Sequence, residues 1–162
     1  MNSLSVLEYA VDHLLVEHGK VHSKYLATNL TYHTQVIVVG HSRCGGVNAC
    51  YHAAESNADP SHTIHHIPPS DPLNKWLKPL TELAFSLKPK WSSMSPSQAV
   101  QYIAEENVKK QVETIVGQKI IEDVWKHELE GKGRKVRIHG WVYELSTGLL
   151  KDLNITRGPL GH

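Results

Sequence analysis

Apolar residues mark out most of the secondary structure along this chain. Leu4, Leu7, Val11, Leu14 and Leu15 recur at three- and four-residue steps, which predicts an amphipathic helix over residues 3–17 with Ser3 as its N-cap. Gly19 to Thr34 is polar and has no clear period, and it reads as a loop or a helical extension. Gln35-Val36-Ile37-Val38-Val39-Gly40 is a continuous β-branched run without polar alternation. That pattern predicts a central strand, buried on both faces.

A helix is expected to start near Gly45-Gly46 and to carry Val47, Ala49, Cys50, Ala53 and Ala54. Residues 56–70, rich in Ser, Asn, Asp, Pro and His, form the clearest internal loop. Trp76, Leu77, Leu80, Leu83, Ala84 and Leu87 repeat at helical steps. Pro89 and Pro96 bracket a break before a long stripe of Val100, Ile103, Ala104, Val108, Val112, Ile115 and Val116, which Gly117 stops. A shorter helix is expected over about 119–130. After the Gly131–Gly133 turn, Val136–Gly140, Trp141–Leu145 and Leu149–Leu153 read as strands, the last two joined at Ser146-Thr147-Gly148 as a hairpin. The order predicts one α/β domain spanning residues 1–162. Its sheet is small for so many apolar helices, so an element is expected to be missing or shared with another subunit.

Charge narrows the partners. Seventeen Lys and Arg stand against sixteen Asp and Glu, a formal charge of +1, which offers no field for nucleic acid or an anionic membrane. No apolar run approaches the ~20 residues of a membrane span. Met1 to Glu8 lacks the basic region and apolar core of a signal peptide, and two cysteines do not make a disulfide framework, so a cytoplasmic protein is expected. Twelve histidines invite a metal, yet most are scattered singly. His62, His65 and His66 cluster, but in a polar loop without a nearby thiol, and read as solvated.

The densest chemistry lies in Val38-Val39-Gly40-His41-Ser42-Arg43-Cys44-Gly45-Gly46. A strand ends and a helix begins here, the place where open α/β sheets bind ligands. His41 and Cys44 are donors that suit zinc, and Gly45 and Gly46 leave backbone N–H groups open to an anion at a helix N-terminus. The same residues also describe a packed turn with a buried thiol and a hydrogen-bonded histidine. Cys50 reads as a small buried hydrophobe. No nucleophile elbow, phosphate-binding glycine loop or acidic pair accompanies the turn.

This motif resembles the second zinc-ligand motif of β-class carbonic anhydrases, G-H-S-x-C-G-G. Other segments are similar to the same family, in its fungal form: Ser5–Val11, Pro72–Leu83, Glu105–Val112, His139–Leu149 and Ile155–Pro159. The resemblance implies a small, mostly parallel sheet flanked by helices, missing the family's first strand. It implies His41 and Cys44 as zinc ligands, Gly45 and Gly46 facing substrate, CO2 and bicarbonate as the small-molecule partners, and a homodimer or higher oligomer in which the first helix crosses to a partner.

The family's first motif, C-x-D-x-R, occurs nowhere in the sequence. It supplies a further cysteine ligand and an Asp–Arg pair, so the resemblance implies a member truncated before it. Zn2+ is then expected to be weakly bound or only partly occupied, with His22, His33 or a partner subunit as sources of a third ligand. Three readings follow: a carbonic anhydrase of impaired activity, an inactive relative acting through dimerisation, or a zinc-free binder of small anions at Gly45 and Gly46.

Overall fold

The structure, a computed structural model, describes residues 33–131 and 135–160. Among these, the chain runs β1 (His33–His41), α1 (Gly45–Glu55), α2 (Pro72–Ser86), α3 (Lys88–Trp91), α4 (Pro96–Val116), α5 (Lys119–Leu129), β2 (Lys135–Glu144) and β3 (Leu149–Arg157). The expected helix over 3–17 and most of the polar stretch after it lie outside the described residues.

The sheet has the order β1-β2-β3, with β1 and β2 parallel and β2 and β3 antiparallel. The α/β class follows as expected, with a sheet that is mixed. Val136–Gly140 and Trp141–Leu145, read separately from the sequence, belong to one strand. The irregularity between them is a shift in register against β3 at Gly140/Trp141, not a chain break.

β1 corrects the reading of a central strand buried on both faces. Among the described residues it pairs only with β2 and forms one edge of the sheet. Its side chains alternate: Val36 and Val38 pack into the core, whereas Ile37 and Val39 are 41% and 51% exposed. A β-branched run does not say how many faces are covered. The phase was carried by the polar residues Gln35 and His41, which share the open face with Ile37 and Val39 because strand side chains alternate.

One core lies between the sheet and the helices α4 and α5. Val112, Ile121 and Trp125 meet Val136, Ile138 and Ile155 there, and the Trp125 indole N–H donates to the Val136 carbonyl at 3.0 Å. A second core joins α1, α2, α3 and α4 through Val47, Cys50, Leu77, Trp91 and Ile103. Among the described residues no helix is long and apolar enough to cross a membrane.

Local chemistry fixes the helix ends. Asp71 caps α2 by accepting from the Leu73 N–H at 2.8 Å, with Pro72 in the first turn, where its missing N–H costs nothing. α2 continues through Pro79, whose side chain lies on the exposed face. Ser95 and Gln98 form a reciprocal capping box at the start of α4. Lys88 reaches back to the end of α1, where its ammonium donates to the carbonyls of Ala54 and Glu55 at 2.7 and 3.1 Å.

Candidate metal centre

The last residue of β1 is His41, and α1 begins at Gly45, so only Ser42, Arg43 and Cys44 separate them. Arg43 turns the chain with φ +56°, a conformation that costs an L-residue about 1–2 kcal/mol. Cys44 is the N-cap of α1, in extended backbone, and gives the helix no side-chain cap. Among the described residues the first helical amides have no side-chain acceptor, and no acidic residue occupies the first turn.

His41 is exposed and aims ring atom Nδ1 at the Ser42 carbonyl, 3.1 Å away. A carbonyl only accepts, so this contact places the proton on Nδ1 and leaves the Nε2 lone pair available, the arrangement a metal-binding histidine uses. Cys44 is half-buried and its thiol is unpaired with any other cysteine. His41, Cys44 and Gly46 all open onto one groove of about 890 Å3, which runs from the end of β1 between α2 and α4. Gly46 lies beside the thiol: a Cβ there would make ordinary contact with Cys44 Sγ at 3.9 Å and Leu77 Cδ2 at 3.5 Å.

Gly45 is placed differently. With Ser42, Arg43 and Glu144 it lines a separate cavity of about 680 Å3. The two glycines expected to face one substrate thus line separate cavities. Glu82, a charged residue that sequence reasoning did not single out, also lines the groove, as do Trp76 and Lys110.

A metal ion finds the right donor types here, an imidazole and a thiol, and half of the four positions zinc takes in a closed site. Among the described residues no group of three or more His, Cys, Asp or Glu side chains could hold a metal ion. His33 starts β1 and His41 ends it. Eight strand steps of backbone, about 26 Å, separate these two positions. His22 lies outside the described residues. The histidine loop is held locally: the His62 Nε2–H donates to the Ile67 carbonyl at 2.9 Å, and its ring meets that of His65 edge-on.

Cys50, six residues on, is fully buried. Burial pushes its thiol up to about 11, partly offset by the hydroxyl of Thr81, which donates to Sγ at 3.1 Å. Its place in the core between α1 and α2 is that of a small buried hydrophobe.

The turn is tied to the far end of β2. The Ser42 N–H donates to the Tyr143 carbonyl at 2.9 Å, and the Ser42 hydroxyl donates to Glu144 Oε1 at 2.7 Å while accepting from the Leu145 N–H at 3.0 Å. Bonds from Ser42 and then from the Ser146 hydroxyl and amide, with the Arg43 charge nearby, hold the Glu144 carboxyl below the usual carboxylate range. Glu144 and Ser42 are 102 positions apart in the chain, and no sequence signal joins them.

Comparison with known proteins gives one family. The carbonic anhydrase family profile matches residues 23–150. A carbonic anhydrase of Emericella nidulans is 28% identical over 157 residues, covering 96% of this chain and 53% of the relative. Among solved structures, a Coccomyxa β-carbonic anhydrase in complex with acetazolamide superposes with a TM-score of 0.68 at 25% identity, over 96% of this chain and 55% of that one. A tetrameric β-carbonic anhydrase of the filamentous ascomycete Sordaria macrospora shares the fold, with a TM-score of 0.63 at 22% identity, over 96% and 61% of the two chains. The chain spans about half the length of the curated relative it matches.

Proposed function

Because the chain belongs to the carbonic anhydrase family, in its β class, we propose that it hydrates CO2 reversibly to bicarbonate at a zinc site built on His41 and Cys44, with impaired activity. One observation carries this reading: the two donors that flank the β1–α1 turn open onto the same groove, and His41 engages Nδ1 with the Ser42 carbonyl while Nε2 has no partner among the described residues. His41 Nε2 and the Cys44 thiolate would hold the ion. Zinc in such a site supplies Lewis acidity, which is what makes water nucleophilic near neutral pH.

The remaining work falls to the chain itself. Leu77, Leu80 and Leu83 make one wall of the groove apolar, suited to a small uncharged substrate, and Lys110 offers a positive charge to a product anion. The amide of Gly46 lies at the start of α1, where the helix favours negative charge. Impairment rests on the donor count: the described residues offer two donors, which hold zinc less firmly than three or four.

A second reading, a catalytically inactive member that acts through self-association or anion binding, is favoured by the same half-set of donors. The open sheet face bearing Ile37, Val39 and Tyr143 favours assembly into a homodimer or larger oligomer. Metal analysis of the purified chain separates the readings. The active form predicts bound zinc that is lost in Cys44→Ser, since a hydroxyl is a poor zinc ligand at neutral pH. Full zinc content in that variant would place the ligands elsewhere.

A further inference from the structure

Two ligands three residues apart can share one ion only if the turn between them is held in a single conformation. This turn is not self-sufficient. Arg43 occupies the left-handed region at φ +56°, which an L-residue adopts only when its surroundings impose it. The helix that follows starts without a side-chain cap. What holds the turn comes from the other end of the sequence. Ser42, 4% exposed, uses its amide on Tyr143 and both capacities of its hydroxyl, as donor to Glu144 and as acceptor from Leu145. The same Glu144 oxygen also accepts from the Ser146 amide and hydroxyl, at 3.2 and 2.8 Å. The carboxylate is thus pinned to the start of the β2–β3 turn on one side and to the ligand turn on the other.

From this geometry we infer that Glu144 is a positioning residue: by gripping the Ser42 hydroxyl it fixes the relative placement of His41 and Cys44 and thereby sets their affinity for a divalent metal. The inference rests on the zinc reading of that pair. Glu144 lines a cavity separate from the groove that His41 and Cys44 line, so it acts through Ser42 and not as a ligand. Removing the partner that orients a ligand typically weakens metal binding about 10–100-fold. Gln at the same position keeps an oxygen to accept from Ser42, so the effect should follow the hydrogen bond and not the charge.

The test is a Co2+ titration of the full chain, read by the charge-transfer absorption of a cobalt-bound thiolate, with Zn2+ competition giving the zinc affinity. Glu144→Ala is expected to bind about 10–100-fold more weakly, Glu144→Gln close to wild type, and Ser42→Ala as weakly as Glu144→Ala. Lys88→Ala, which removes the cap at the far end of α1, serves as the control. It should lower the melting temperature and leave the metal affinity unchanged. Glu144→Ala or Ser42→Ala, whichever is folded by circular dichroism, binding Co2+ with wild-type affinity would overturn the inference. So would a loss in Glu144→Ala no greater than in an equally destabilised Lys88→Ala. A wild-type thiolate band that disappears in Cys44→Ser, beside an unchanged Glu144→Ala, removes only the role of Glu144. No thiolate band in the wild type removes the zinc reading and this inference with it.

Discussion

Gly40 and Val108 are in direct apposition: a Cβ placed on Gly40 would lie 2.5 Å from Val108 Cγ2. This close approach lets α4 seat against the strand that delivers His41, one residue further on. Gly140, beside Val38 on the neighbouring strand, makes the same concession, since its Cβ would meet Ile155 Cγ2 at 2.7 Å and Val108 Cγ1 at 3.1 Å. The glycines are therefore packing residues beneath β1 and β2 as much as they are breaks in a sequence pattern.

Gly40→Ala should destabilise the protein by about 1–3 kcal/mol through overpacking, measured by urea unfolding. Because the obstruction is a single side chain, Val108→Ala should recover part of that loss when combined with it. Additive costs in the double variant would show that the strain lies elsewhere.

Asn74 is fully buried and secures the loop before α2. Its Oδ1 accepts from the Ile64 N–H at 2.8 Å, and its Nδ2 donates to the carbonyls of Ile64, Ile67 and Pro68. Asn74→Ala leaves the Ile64 N–H unpaired, while the three carbonyls keep the Ile67 amide, the His62 ring and the Asp71 amide as donors, and should cost about 1–3 kcal/mol. Amide exchange of Ile64 should accelerate in the folded state. Unchanged protection at Ile64 would contradict the anchoring role.

The two thiols should separate by reactivity. Cys44 is half-buried and opens onto the groove, whereas Cys50 is fully buried with its pKa raised to about 11 by burial. Iodoacetamide at pH 8 should label Cys44 in the folded protein and reach Cys50 only on unfolding. The Cys50 shift also carries a pH dependence. The unfolded thiol loses its proton near 9 and the folded one near 11, so the unfolded state binds fewer protons in that window. Stability from this group is complete below pH 9 and falls as pH rises to 11, by about 3 kcal/mol. Cys50→Ala should show a shallower decline over the same window than wild type, and an identical decline would contradict the assignment.

The periodic helices were the most legible part of the sequence. Val100, Ile103, Val108 and Val112 mark α4 because a helix of about six turns repeats its buried face often enough to be read. The β1–α1 turn was legible for a different reason: its strand, its two donor types and its glycines are neighbours in sequence, so the candidate can be named without knowing the fold. What escaped was everything that depends on residues meeting across the chain. The exposure of Ile37 and Val39 depends on what covers the second face of the sheet, which a β-branched run does not encode. The unity of β2 was hidden because Gly140 resembles a strand terminator, though its role is close packing under α4. The Ser42–Glu144 bond and the Asn74 anchor join positions whose only common property is their meeting in the fold.

The most direct test of the account is stopped-flow CO2 hydration by the purified chain with zinc in excess, beside His41→Ala. The prediction is a rate above the buffer background, abolished in His41→Ala, and far below the ~10⁶ s⁻¹ reached by the fastest carbonic anhydrases. A rate approaching that value, or one that His41→Ala leaves unchanged, would contradict an impaired zinc site built on His41 and Cys44.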